Sequence, residues 1–87
     1  MKTKQVTFTY HAPQASSVFL AGTFNGWDPE EYLLSRDKKG DWSTAINLFL
    51  GVYEYQFIVD GEWKEDPGCL DRYFNGHGGY NCVLIVK

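Results

Sequence analysis

The chain has 87 residues, the length of one domain, and so short a chain leaves little room for a catalytic pocket beside its core. Its formal net charge is -3 and its eight Lys and Arg are scattered, so nucleic acid is not an expected partner. Aromatic residues make up 17% of the chain, a share that indicates either an aromatic core or outward-facing rings that bind a ligand.

Period-two alternation of apolar residues predicts strands along the whole chain, and no segment has a convincing helical period of 3.6. In chain order the predicted strands cover residues 5–10, 18–22, 32–36, 41–48, 52–59 and 81–86. Turn signals separate them about every ten residues, which is typical of an antiparallel β-sandwich. The sequence therefore predicts a single all-β domain over residues 1–87.

Glycine, proline, aspartate and asparagine mark the predicted turns. Asp60-Gly61 separates two strand-like runs and predicts a two-residue hairpin turn, because Gly tolerates a positive φ. Residues 36–41 predict a longer hairpin loop with Gly40 in the left-handed position. Further loops or stops are predicted at residues 25–29, 66–68 and 75–79.

The predicted hairpin turn places one tryptophan on the outer face of its sheet. A two-residue turn pairs Ile58 with Trp63, and directly paired residues share a face. Gln56 lies on the same face as a diagonal neighbour of Trp63, roughly 7 Å away. An exposed indole beside an amide is suited to a sugar, because the ring stacks on glucose C–H groups while the amide bonds hydroxyls.

The three tryptophans separate by their surroundings in the sequence. Trp42 is in phase with Ile46 and Leu48 and is predicted in the core. Trp27 lies in a loop without apolar neighbours in phase, so a ligand-binding role is a reasonable hypothesis for it and for Trp63. The pattern alone allows equally that both rings cap the ends of a small core.

Three blocks of sequence carry a family resemblance. They are VFLAGTFNGW at residues 18–27, YEYQFIVDGEW at residues 53–63 with Asp66-Pro67 after it, and GGYNCVL at residues 78–84. In order and spacing they resemble carbohydrate-binding module family 48, found in the β subunit of AMP-activated protein kinase, isoamylases and branching enzymes. The resemblance implies an immunoglobulin-like β-sandwich of the early set type. It also implies an α-1,4-glucan ligand. The sequence leaves two alternatives open: a partner enzyme of glycogen metabolism accompanies the domain, or the domain acts alone.

The same resemblance assigns three site residues by position. Trp27 and Trp63 match the two stacking tryptophans of the family, and Asn81 matches its sugar-binding asparagine. On its own pattern, Asn81 could also simply cap the turn before the last strand. With the family match, ligand contact is the preferred interpretation.

Three positions depart from the pattern of the kinase modules. Gln56 stands where they carry a lysine that bonds sugar hydroxyls, and an amide can still do so. His77 and Gly79 stand where they carry a leucine and a threonine, and the His77 ring is expected to replace the leucine by stacking. The predicted carbohydrate-binding residues are therefore Trp27, Gln56, Trp63, His77 and Asn81.

Catalysis is not predicted, because no nucleophile elbow, P-loop or metal-ligand spacing occurs and no carboxylate lies in an apolar context. No metal and no cofactor are expected. The rival hypothesis is an immunoglobulin-like protein-interaction module, associated with a glycoside hydrolase family 13 enzyme or a kinase, in which the two tryptophans form an interface.

The location is predicted to be cytoplasmic. No run of about 18 apolar residues could span a membrane, and the start of the chain lacks the apolar stretch of a signal peptide. Cys69 and Cys82 are interpreted as reduced thiols, although the sequence leaves open whether they meet in space.

Overall fold

The computed structural model describes residues 2–87. Met1, the first residue of the predicted domain, lies outside the described residues. Within residues 2–87 there are nine strands and a one-turn 3-10 helix at Thr23–Asn25. The strands are β1 (Thr3–His11), β2 (Val18–Gly22), β3 (Tyr32–Leu33), β4 (Ser35–Arg36), β5 (Asp41–Phe49), β6 (Gly51–Val59), β7 (Glu62–Lys64), β8 (Arg72–Phe74) and β9 (Tyr80–Val86). None of the described residues belongs to a helix long and apolar enough to cross a membrane.

The strands form two antiparallel sheets that pack as a sandwich. One sheet has the order β1-β5-β4. The other has the order β3-β2-β6-β9-β8, with β7 paired to the far half of β6. This architecture confirms the predicted all-β, immunoglobulin-like sandwich of the early set type.

The core lies between the sheets and is built by the predicted alternation. On β5, Trp42, Ile46 and Leu48 are buried, so the predicted core tryptophan is confirmed. The Trp42 indole N–H donates to the Ala12 carbonyl at 2.9 Å, which satisfies its one polar group. The facing sheet supplies Phe57 and other buried apolar side chains.

The hairpin between β6 and β7 has the predicted register. Ile58 pairs with Trp63, and the two turn residues have positive φ angles, 49° at Asp60 and 84° at Gly61. The Asp60 carboxylate also accepts hydrogen bonds from the backbone N–H groups of Ser16 and Ser17. The turn is thereby attached to the loop before β2, and Trp63 lies on the outer face.

Two segments differ from the predicted strands. Residues 32–36 form two short strands in different sheets, because Leu34 between them is buried and its N–H donates to the Val18 carbonyl. Strand β8 has no counterpart among the predicted strands. All three of its residues are exposed, so it lacks the alternation that marks a half-buried strand.

Cys69 and Cys82 form a disulfide, so their interpretation as reduced thiols is wrong. Cys82 faces the core on β9, and the segment after Asp66 folds back over it, which brings the two Cα atoms to 5.9 Å. That separation is usual for a disulfide. Their separation of 13 in sequence gives no sign of this proximity. The bond attaches the segment before β8 to β9.

Candidate carbohydrate-binding site

An open cavity of about 950 Å³ lies on the outer face of the larger sheet, and all five predicted site residues line it. Its floor is the junction where β7 ends and β9 begins beside β6. One wall carries Trp27 and Trp63, and the other is the loop of residues 75–79. The lining residues are Thr23, Trp27, Glu54, Gln56, Trp63, Lys64, Glu65, Asn75, His77, Gly78, Gly79 and Asn81.

The loop that follows β2 fixes the position of Trp27. Gly26 and Trp27 both adopt left-handed backbone, with φ angles of 65° and 61°, a conformation that is costly for a bulky residue. The Asn25 side chain holds the turn, because its oxygen accepts from Gly22 N–H and its amide donates to the Asp28 carbonyl. The Trp27 N–H donates to the Gly22 carbonyl at 2.9 Å, which closes the turn.

Trp27 and Trp63 form one aromatic surface. Their ring centroids are 6.2 Å apart and their planes are tilted by 54°, within the range of favourable aromatic contacts. Trp63 remains 48% exposed and Trp27 is half-buried, so neither ring is part of the core. Both rings line the same cavity. The arrangement is a concave pair of indoles whose surfaces are open to a ligand.

The polar floor of the cavity is an ordered chain of hydrogen bonds. The Gln56 side-chain amide donates to the Tyr80 carbonyl at 3.0 Å and to the Asn81 side-chain oxygen at 2.9 Å. The Asn81 amide in turn donates to a Glu54 carboxylate oxygen at 3.1 Å. Gln56 is only 8% exposed, in contrast to the exposed polar face expected for it. It is buried because Asn81 and Tyr80 close over its side chain.

This chain of bonds decides which atoms are free for a ligand. Both amide hydrogens of Gln56 are used, so Gln56 can offer a ligand only its oxygen. That oxygen reaches solvent, since no side-chain polar atom within residues 2–87 is both buried and unpartnered. Asn81 keeps one N–H, and Glu54 keeps its second carboxylate oxygen. The floor therefore presents one donor between two acceptors.

His77 lies in the opposite wall, on an exposed loop between two residues with positive φ angles, Gly76 at 80° and Gly78 at 85°. Asn75 holds this loop, because its side-chain oxygen accepts from His77 N–H at 2.8 Å and from Gly79 N–H at 3.3 Å. The structure thus brings His77 to the same cavity as the tryptophans. The loop is held by this side chain and by the backbone hydrogen bond from Asn75 N–H to the Gly79 carbonyl at 2.9 Å.

Sequence reasoning missed several lining residues. Glu54 is one of them, although its spacing of two from Gln56 on β6 puts the two residues on one face and was the available signal. Lys64 is another: its register opposite Phe57 directs it to the other face of the sheet, yet it lines the cavity. Glu65 pairs with Arg72 at 3.2 Å across the segment that leads to β8. No local pattern marks that contact.

Comparison with known proteins identifies the family of the chain. The family model described as the glycogen recognition site of AMP-activated protein kinase matches residues 4–87. The chain is 43% identical over 74 residues to protein PTST homolog 2, chloroplastic, of Arabidopsis thaliana, which covers 84% of this chain and 13% of that protein. It is likewise 43% identical over 72 residues to protein FLOURY ENDOSPERM 6, chloroplastic, of Oryza sativa subsp. japonica, covering 83% and 13%.

A third relative is the phosphoglucan phosphatase DSP4, amyloplastic, of Castanea sativa, which is 35% identical over 86 residues. That match covers 99% of this chain and 23% of the phosphatase. The chain spans less than a quarter of the length of each of these relatives. The match of the family model over nearly the whole chain shows that the chain belongs to carbohydrate-binding module family 48, the family of the kinase's glycogen recognition site.

Proposed function

We propose that this domain binds α-1,4-glucan, such as glycogen or starch, as a non-catalytic module, with glucose residues stacked on Trp27 and Trp63. The observation that carries the proposal is the pair of tilted indole rings, 6.2 Å apart, at one wall of an open cavity. Successive glucose residues in an α-1,4 chain are turned relative to one another. The α-1,4 chain is therefore curved, and two tilted rings match its curvature better than two coplanar rings would.

The polar floor orients the sugar through hydroxyl hydrogen bonds. The free N–H of Asn81 donates to a sugar oxygen, while the oxygen of Gln56 and the second oxygen of Glu54 accept from hydroxyls. Gln56 also fixes the Asn81 amide in one orientation, because its N–H occupies the Asn81 oxygen. His77 closes the opposite side of the cavity, where its ring can stack on the chain.

The carboxylates of the cavity support binding without catalysis. Glycoside hydrolysis needs one carboxylic acid that donates a proton and a second carboxylate across the bond. The Glu65 carboxylate is paired with the Arg72 guanidinium at 3.2 Å. The Glu54 carboxylate accepts a hydrogen bond from the Asn81 amide at 3.1 Å. Neither side chain is placed as a proton donor.

The biological role that follows is tethering. A shallow, open site of this kind binds with affinity on the order of micromolar to millimolar. A weak module still raises the local concentration of α-glucan around whatever catalytic domain or partner enzyme it accompanies. We propose that such an enzyme acts on glycogen or starch.

Affinity electrophoresis in gels with and without glycogen tests the proposal. The wild-type domain should be retarded by glycogen, and Trp63→Ala and Trp27→Ala should each abolish the retardation without loss of the folded circular-dichroism spectrum. Phe49→Ala is the matched control, because Phe49 is an exposed aromatic outside the cavity and its removal should leave the retardation unchanged. Retardation of both tryptophan variants equal to the wild type would refute the stacking mechanism.

The protein-interaction hypothesis makes a different prediction for the same variants. If Trp27 and Trp63 form an interface, retardation by glycogen stays at the control level. The molar mass in solution, measured by light scattering, then changes when either ring is removed. Lost retardation at constant mass supports glucan binding.

A further inference from the structure

An exposed tyrosine stands beside the cavity without lining it. Tyr73 on β8 is the direct register partner of Asn81 on β9, so the two side chains share the outer face of the sheet. Tyr73 is 62% exposed, and its hydroxyl has no hydrogen-bond partner within residues 2–87. The ring packs against no other aromatic ring there.

The neighbouring aromatic residues have structural partners that Tyr73 lacks. Phe74 and Tyr80 are paired across β8 and β9 on the other face, with ring centroids 5.6 Å apart in a T-shaped contact. The Arg72 guanidinium lies 4.6 Å from the Tyr80 ring centre and adds a cation–π contact. Packing at this sheet edge is therefore supplied by these three residues. Tyr73 adds a large amphipathic ring that contributes little to it.

The order of the strands places Tyr73 at the end of a row that begins in the cavity. Strand β9 lies between β6 and β8, so Gln56, Asn81 and Tyr73 follow one another across the sheet. Neighbouring strands are about 4.8 Å apart. One strand spacing is close to the length of one glucose residue. A chain that passes Asn81 and continues in this direction reaches the Tyr73 ring next.

We propose that Tyr73 forms an additional stacking subsite, which takes a glucose residue of the same α-1,4-glucan beyond the one bound by Asn81. This inference rests on the proposed function. The subsite makes the domain favour long chains, because a short oligosaccharide fills the tryptophan pair and Asn81 without reaching β8. Since β8 is the edge strand, no further strand within residues 2–87 lies beyond it.

Isothermal titration with maltotriose and maltoheptaose tests the subsite. For Tyr73→Ala, the affinity for maltoheptaose should fall about three- to tenfold, the order of one aromatic contact, while that for maltotriose stays unchanged. Tyr73→Phe should keep most of the affinity, because it keeps the ring. Phe74→Ala is the matched control on the other face of the same strand, and it should change neither affinity.

The Trp63→Ala variant separates the two proposals. If Trp63→Ala loses its affinity for both sugars while Tyr73→Ala binds maltoheptaose like the wild type, the proposed subsite is wrong and the proposed function stands. An equal loss of both sugars in Tyr73→Ala also overturns the subsite, because the ring then acts on the common site. If Trp63→Ala binds both sugars normally, the proposed function fails and the inference fails with it.

Discussion

The two walls of the cavity are both held by an asparagine side chain, but they differ in how tightly they are packed. In each, an asparagine side chain accepts from backbone N–H groups and closes a turn: Asn25 in the wall that carries Trp27, and Asn75 in the wall that carries His77. The first turn is also packed from both sides. A Cβ at Gly22 would lie 2.4 Å from the Glu54 carbonyl oxygen and 2.7 Å from the Phe24 ring.

The second wall is open by the same measure. A Cβ at Gly76 or Gly78 would meet no atom within 4 Å, and the same holds at Gly26 in the first wall, so the tight packing of the first wall is confined to Gly22. Trp27 also contacts the Trp63 ring, whereas no aromatic ring within residues 2–87 packs against His77. From the packing at Gly22 and the contact between the two indoles, we expect the first wall, called the rigid wall below, to present a preformed aromatic surface. We expect the second wall, called the adaptable wall, to yield more readily to a ligand.

The largest expected effect is a loss of stability when a methyl group is added to the rigid wall at Gly22. Gly22→Ala should destabilise the domain by several kcal/mol, since extended backbone accepts Ala at this position but the added methyl overlaps packed atoms. Gly78→Ala should cost only about 1 kcal/mol, because its φ of 85° strains the backbone while the space is empty. Denaturant unfolding of both variants measures the difference. Equal losses of stability would show that the two walls are equally packed.

A smaller effect is expected from removing each asparagine. Asn25→Ala should weaken glycogen binding strongly, because Trp27 depends on that turn for its position against Trp63. Asn75→Ala should weaken binding only a few-fold, because it loosens a wall that already adapts. Each variant should cost about 1 kcal/mol of stability, the usual value of such a capping bond. Affinity electrophoresis on glycogen ranks the two variants, and the reverse ranking would contradict a rigid tryptophan wall.

The hairpin that carries Trp63 could be predicted from the sequence because its signal is local. Asp60-Gly61 defined the register of β6 and β7, and that register placed Trp63 on the outer face with Gln56. Period-two alternation predicted most strands for the same reason, since the pleat alone decides which side chains are buried. The family resemblance then brought Trp27, Asn81 and His77 to the same site.

The parts that could not be predicted depend on contacts between segments distant in sequence. Strand β8 is exposed on both faces, so no burial pattern marks it. The disulfide joins Cys82 on β9 to a residue in an irregular segment, and spacing alone does not show that they meet. The hydrogen bond from Asn81 to Glu54 joins side chains on the neighbouring strands β9 and β6. The register of the strands brings the two residues close, but the side-chain conformations that form the bond do not follow from the register.

The smallest expected effect concerns the start of the segment between β7 and β8, and it depends on pH. Tyr55 is buried and its hydroxyl donates to the Asp66 carboxylate at 2.5 Å, where the segment that leads to Cys69 and β8 begins. Burial, and then the hydrogen bond to Asp66, raise the pKa of Tyr55 well above its usual value near 10. The folded state therefore keeps this proton at pH values where the unfolded chain has lost it.

The stability that Tyr55 contributes should be fully present below about pH 10 and should be lost as the pH rises above that value, by at most about 1.4 kcal/mol per pH unit. Tyr55→Phe cannot ionise, so its free energy of unfolding should lie about 1 kcal/mol below the wild type at pH 8, through the lost hydrogen bond, and approach it by pH 11. Thermal or urea unfolding of both proteins between these pH values measures the gap. A gap that stays constant would mean that Tyr55 ionises alike in both states, and that burial and the hydrogen bond to Asp66 do not retain this proton in the folded protein.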